Sequence, residues 1–120
     1  KARELARAPF TNYLGSLVDS ACDWTQGLSS ADYPGYDKII AGLKASTMDN
    51  QIASGAAWIG SPDEIVETIR TMQANVPFEH ASLQVNFNLI PHAEALRSLR
   101  LFAAEVMPHF AEVRAKEMSA

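Results

Sequence analysis

The spacing of apolar residues between positions 61 and 110 predicts a helix, a strand and a second helix, in that order. Ser61 is a favourable residue for a helix N-cap, and Pro62 suits the first helical position, where no N–H is needed. Glu64 completes a capping box with Ser61, and Pro77 prevents the helix from continuing. The apolar stripe predicted for this helix is Ile65, Ile69 and Met72, with Val66 on its flank.

Two segments have the patterns of β-strands. Residues 55–60, GAAWIG, are apolar and bounded by glycines, which is typical of a buried strand in a parallel sheet. Residues 81–88 alternate between apolar and polar side chains, which predicts a strand with one face against the helices. Because a helix separates the two segments, the sequence predicts parallel pairing with a right-handed crossover, and therefore an α/β fold. The apolar set of residues 81–88 is Ala81, Leu83, Val85 and Phe87, and the polar set is Ser82, Gln84, Asn86 and Asn88.

The last helix is predicted to open at Pro91. Pro108 is expected to kink or end it near Met107, and residues 111–120 form a polar tail. The apolar stripe predicted for this helix is Leu96, Leu99, Phe102, Ala103, Val106 and Phe110.

The N-terminal part is predicted to be helical, with one long loop. Residues 1–22 have helical propensity and spacing, and Pro9 either kinks this region or starts a second helix. Residues 23–35 are rich in turn residues and have no periodicity, so this segment is either a lid or binding loop, or is disordered. The two short helices predicted within residues 36–54 are Tyr36–Lys44 and Thr47–Ser54, the second capped by Thr47.

Composition and charge narrow the classes of function. The chain has 120 residues, of which 48% are hydrophobic, and this can supply the core of one domain. The net charge of −4, with scattered Lys and Arg, makes nucleic acid and anionic membranes poor partners. The apolar runs are too short to span a bilayer, and the single Cys22 excludes an internal disulfide. These features predict a reducing, cytoplasmic setting.

The titratable residues form no recognisable catalytic or metal-binding pattern. His80, His92 and His109 are far apart in sequence, with no nucleophile or carboxylate at a telling spacing. Cys22 is followed by Asp23 and so is not in the electropositive setting that makes a thiol reactive. We therefore assign no catalytic residue and no metal site from the sequence.

The polar set of residues 81–88 contains the main candidates for a site. In a closed barrel of parallel strands, Gln84 and Asn86 would point inward, where a plain core prefers branched apolar side chains. Buried amides without partners cost on the order of 1–3 kcal/mol each. These two residues therefore indicate a polar cavity, or they bond to neighbouring strands or to a buried water. The Gly60–Ser61 turn could hold a phosphate, but Ser61 already serves as a cap, so a structural helix start is favoured.

Three stretches of the sequence resemble one family. Residues 60–70, GSPDEIVETIR, and residues 91–110, PHAEALRSLRLFAAEVMPHF, are similar to the C-terminal part of the bacterial luciferase-like monooxygenases. Residues 2–20, ARELARAPFTNYLGSLVDS, resemble the helix that precedes the variable segment of that family. The resemblance implies that residues 1–120 are the C-terminal segment of a TIM (β/α)8 barrel, with 56–59 as strand seven and 81–87 as strand eight. These motifs are structural rather than catalytic.

The resemblance also implies a cofactor and candidate contacts. Members of the family use reduced FMN with O2 to oxygenate small organic substrates, and in some branches they use the deazaflavin F420 for hydride transfer. Tyr13 matches the position of an aromatic residue that lies against the flavin ring, and Phe10 and Asn12 would contact the substrate. Gln84 and Asn86 would contact the cofactor. A flavin reductase is an implied partner.

A non-catalytic function is an alternative hypothesis to the enzymatic one. The opening KARELARAPF has the character of a helix interior, and two strands make no stable sheet, so we expect a longer protein that carries the rest of the barrel and the catalytic residues. The isolated chain would then be inactive. Alternatively, the chain is a truncated-barrel module for binding or oligomerisation. Open edges and the apolar stripe of the last helix favour a homo-oligomer in both cases.

Overall fold

The computed structural model describes residues 1–22, 34–87 and 89–111, and helices dominate these ranges. The predicted tail at 112–120, most of the predicted loop at 23–35, and Asn88 lie outside the described residues. The helices are α1 (Ala2–Cys22), α2 (Tyr36–Lys44), α3 (Met48–Ala53), α4 (Pro62–Asn75) and α5 (His92–Leu101), and a π-helical segment, Phe102–Val106, continues α5. Helix α1 packs against α2 and α3, and α4 packs against the π-helical segment.

The predicted α/β fold is wrong. Residues 1–22, 34–87 and 89–111 contain no β-strand, so this part of the chain is a small helical domain and not a part of a TIM barrel with strands. A strand requires a neighbour for its backbone hydrogen bonds, and alternation of side chains does not supply one. Residues 55–60 begin in a turn instead, where Gly55 has a φ of 78° and donates to the carbonyl of Ile52 at 3.0 Å. Residues 81–84 are exposed along their length.

Three consecutive residues connect two hydrophobic clusters. Ala57 and Ile59 pack into one cluster, whereas Trp58, between them in sequence, packs into the other. The side chains thus alternate between two sides, although the described residues contain no strand. The first cluster consists of Ala6, Phe10, Met48 and Ala57, with Leu14, Ile52, Ile59 and Phe87 against it. The second cluster consists of Ile65, Val66, Ile69 and Val106, with Trp58, Phe78, Phe102 and Phe110 against it.

Helix α1 continues through Pro9 as one helix of 21 residues. Proline has no N–H, so the carbonyl of Leu5 loses its usual backbone partner, but the packing of Ala6 and Phe10 in the first cluster supports the helix on both sides of Pro9. Two ion pairs tie α1 to other helices, with Arg3 at 2.7 Å from Glu64 of α4 and Arg7 at 3.3 Å from Asp49 of α3. Exposed pairs of this kind contribute little to stability because water screens them, so burial of apolar side chains carries most of the packing.

Helix α4 begins at the capping box that its sequence predicts. The Ser61 hydroxyl accepts from the Glu64 backbone N–H at 3.3 Å, and the Glu64 carboxylate accepts from the Ser61 N–H at 2.7 Å. The Ser61 N–H, and then the charge of Arg3, lower the pKa of the Glu64 carboxyl. Helix α3 has an analogous box between Thr47 and Asn50. These starts depend on residues that are close in sequence, which is why the sequence predicts them.

The last helix widens before its proline. The Met107 N–H donates to the carbonyl of Phe102 at 3.0 Å, a bond from residue i to residue i−5. In a regular α-helix the ring of Pro108 would meet the carbonyl of Ala104, and Pro108 has no N–H to donate to it. The π-helical segment ends at Val106 with Met107 as its C-cap, and residues 108–111 are again helical, so the helix is interrupted near Met107 as the sequence predicts.

The predicted apolar stripe of the last helix is only partly buried. Val106 is 2% exposed and Ala95 is 4% exposed, but Leu96 and Leu99 are exposed at 37% and 48%. The π-helical segment turns the chain by a different angle per residue, so the residues after Leu101 do not continue the face of α5 that contains Leu96 and Leu99. None of the helices in the described ranges is long and apolar enough to cross a membrane.

The Glu64 contacts predict a pH-dependent stability. Because the folded state lowers the pKa of Glu64, the ionised carboxylate stabilises the fold above its ordinary value of 4.5, and this contribution is lost as the pH falls through the folded pKa. Glu64→Gln keeps a neutral acceptor for the Ser61 N–H. We expect the variant to be less stable than the parent protein at neutral pH, and the difference to disappear well below pH 4.5, as measured by urea unfolding.

Glu67→Gln is the matched control, because Glu67 is an exposed carboxylate of the same helix with no ion pair among the described residues. It should cost less stability at neutral pH than Glu64→Gln. An equal loss in the two variants would show that the cap and the Arg3 contact contribute nothing specific.

Candidate functional site

Three aromatic rings meet beside α1. The ring of Tyr13 lies 5.7 Å from that of Phe87 and 6.4 Å from that of Phe10, and the rings of Phe10 and Phe87 are 6.1 Å apart in an edge-on arrangement. These separations are within the range at which aromatic rings attract one another beyond simple burial. We call Phe10, Tyr13 and Phe87 the aromatic group.

The members of the aromatic group differ in accessibility. Phe10 is 8% exposed and belongs to the first cluster, so its ring stabilises the fold and offers little surface to a ligand. Tyr13 is half-buried, with part of its side chain accessible. Of the two aromatic residues predicted on α1, Tyr13 is therefore the one placed to contact a bound molecule. Asn12, predicted with Phe10 to contact substrate, is exposed next to it.

Gln84 and Asn86 are exposed and face no barrel interior, because that interior belongs to the fold that the structure contradicts. They are nevertheless close in sequence to Phe87, which is fixed against Tyr13. Consecutive Cα atoms are about 3.8 Å apart, so the Cα atom of Asn86 lies about that far from the Cα atom of Phe87. The contact of Phe87 with Tyr13 thus joins the segment that contains both predicted amides to α1, which the strand prediction did not contain.

A groove of about 550 Å³ runs along the neighbouring side of α1. Leu14 is shared between the groove and the packing around Phe10. The charged residues of the groove are balanced in sign, and Arg7 already pairs with Asp49. The groove therefore has no evident preference for an anion or a cation. Its lining is Arg7, Thr11, Leu14, Gly15, Val18, Asp19, Leu43, Lys44, Ser46, Thr47, Met48 and Asp49.

Polar chemistry is sparse in the described ranges. Residues 1–22, 34–87 and 89–111 contain no group of three His, Cys, Asp or Glu side chains able to hold a metal ion. They also contain no buried polar or charged residue. The arrangement can stack an aromatic molecule and donate or accept hydrogen bonds, but these residues by themselves present no acid–base pair or activated nucleophile.

Comparison with protein-family models, with curated proteins and with solved structures found no match to this chain.

The contact between Phe87 and α1 is the feature that sequence reasoning missed. The sequence pattern places Phe87 on the apolar face of a strand and Tyr13 on the apolar stripe of a helix. Each pattern predicts an apolar neighbour but does not identify it. A separation of 74 positions between two such residues leaves no local signal that they touch.

Proposed function

We propose that this chain is part of a flavin-dependent monooxygenase that acts on a small organic substrate with O2 and reduced FMN. The observation that carries the proposal is the half-buried Tyr13, held in an aromatic group whose member Phe87 directly follows a segment with exposed amides. The similarity of residues 2–20 to the flavin-contacting helix of the luciferase-like monooxygenases supports the same assignment. In this proposal, residues outside these 120 supply the catalytic groups.

The chemistry of the site fits one edge of a flavin. The isoalloxazine ring is planar and aromatic, and a partly exposed tyrosine ring that is fixed on its other sides can stack against it. The ring also has carbonyl and N–H groups that match the acceptors and donors of Gln84 and Asn86. Reduced FMN would supply the electrons for O2 activation. The residues of this chain would orient the ring and cover part of it from water, which is the role of an aromatic wall in such sites.

The test uses the protein encoded by the complete reading frame that contains these residues. FMN binding is measured by fluorescence titration, and O2 consumption is followed with a flavin reductase present. Tyr13→Leu keeps apolar bulk against Phe87 but removes the aromatic face, so we expect FMN binding to weaken by up to about tenfold.

One pair of amide variants tests the site, and a second pair is its control. Gln84→Ala and Asn86→Ala should weaken FMN binding, whereas Gln73→Ala and Asn75→Ala, which remove exposed amides of α4, should not. Absence of FMN binding by the complete protein would refute the proposal, and binding of F420 in its place would favour hydride transfer. Tight FMN binding by the 120 residues alone would contradict the assignment of other flavin contacts to residues outside them.

A second candidate function is a binding or oligomerisation module. It is favoured by the number of large apolar side chains that are exposed within the described ranges, three of them on α5 and one directly after the π-helical segment. Surfaces of this kind commonly bind another protein. The exposed residues include Leu5, Ile39, Val76, Leu83, Leu89, Leu96, Leu99, Leu101 and Met107.

Light scattering during gel filtration tests the module. If α5 mediates self-association, a variant with both Leu96→Ser and Leu99→Ser should elute at monomer mass at concentrations at which the parent chain is an oligomer. Leu5→Ser, which removes an equally exposed leucine from α1, is the control and should leave the mass unchanged. A parent chain that is monomeric at all concentrations would exclude self-association as the function.

A further inference from the structure

The sulfur of Met72 lies where three elements meet. The indole N–H of Trp58 donates to this sulfur at 3.3 Å, and the same N–H donates to the carbonyl of Gly55 at 2.9 Å. Met72 belongs to the last turn and a half of α4, Gly55 to the turn after α3, and Trp58 to the connecting segment. The thioether of α4 thus bonds to Trp58, whose indole N–H also bonds to the Gly55 turn.

Gly55 leaves room for this sulfur in two ways. Its φ of 78° is a conformation that glycine adopts without strain. A Cβ atom placed on residue 55 would also lie 3.0 Å from the Met72 sulfur, so the thioether occupies the space that a side chain would take. The sulfur is therefore packed closely against backbone on one side and against the indole on another.

The methionines of the described residues differ in exposure. Met48 is 4% exposed in the first cluster and is shielded, whereas Met107 is 56% exposed and its sulfur accepts no hydrogen bond among the described residues. Met72 is between these extremes, partly open to solvent and structurally engaged. It combines access for a small oxidant with contacts that oxidation would change.

We propose that Met72 is a peroxide-sensitive modification site. A sulfur lone pair attacks one oxygen of hydrogen peroxide, the O–O bond breaks, an S–O bond forms, and the second oxygen leaves as water after proton transfer. The sulfur is oxidised by two electrons and the peroxide is reduced by two. The product, methionine sulfoxide, is polar, and dedicated reductases return it to the thioether.

Oxidation would loosen the junction. The added oxygen needs space on a sulfur already confined by Gly55 and Trp58, and it places a dipole beside the second cluster. The end of α4 would move away from the Gly55 turn, and Trp58 would lose packing against that cluster. The site is independent of the proposed flavin chemistry, because peroxide alone is the oxidant.

The experiment follows Trp58 fluorescence during peroxide treatment. The chain has two tryptophans, so Trp24→Phe leaves Trp58 as the sole indole emitter. We expect peroxide to shift the emission to longer wavelength and to lower the thermal midpoint, in step with the gain of one oxygen on the peptide that contains Met72, as measured by mass spectrometry. Methionine sulfoxide reductase should reverse both changes.

Two leucine variants in this background separate the possible sources of the signal. Met72→Leu conserves volume without an oxidisable sulfur and should abolish the peroxide-induced shift, whereas Met107→Leu should leave the shift intact. Circular dichroism before treatment establishes that each variant is folded. If Met72→Leu is not folded, the test depends on the Met107→Leu variant alone. In that variant, the fraction of oxidised Met72 and the size of the emission shift should rise together over time. A shift that persists without the Met72 sulfur, or a folded chain in which Met72 resists peroxide, would overturn the proposal.

Discussion

The placement of Trp58 between Ala57 and Ile59 is the constraint on which the rest of the described structure depends. Each of the two hydrophobic clusters has only four buried members, too few to be stable alone. Because consecutive side chains enter different clusters, displacement of this segment would remove contacts from both. The Arg3–Glu64 ion pair adds a second connection between α1 and α4, but it is exposed and therefore weak.

The small size of the buried core also explains the arrangement of the candidate site. Few residues are fully buried, so the aromatic group serves the core and the surface together, with Phe10 inside and Tyr13 partly outside. Phe87 anchors the end of residues 81–87, which have no strand partner in the described ranges, against Phe10 and Tyr13. A ligand that stacks on Tyr13 would add apolar contact to a small core, so binding and folding would stabilise each other.

What the sequence predicted well is local, and what it predicted badly depends on distant partners. Ser61 with Glu64, and Thr47 with Asn50, mark helix starts because both partners lie within one turn. The strand prediction is wrong because the alternation in residues 81–87 describes only the side chains. It does not identify a neighbouring segment for the backbone hydrogen bonds. The stripe of α5 failed at Leu96 and Leu99 because burial requires a neighbouring element, which helical periodicity does not supply. The contact of Phe87 with Tyr13 joins two segments that carry predicted site residues, and this contact has no local signal in the sequence.

The most direct test of the coupling between the two clusters is urea unfolding followed by NMR at individual residues. Amides of α1 around Ala6 and Phe10 report the first cluster, and amides of α4 around Ile65 and Ile69 report the second. Because residues 57–59 pack into both clusters, we expect both sets of amides to lose their native signals at one common urea midpoint. Neither cluster should remain folded without the other. Two separate midpoints, with one helix folded while the other is not, would contradict this account.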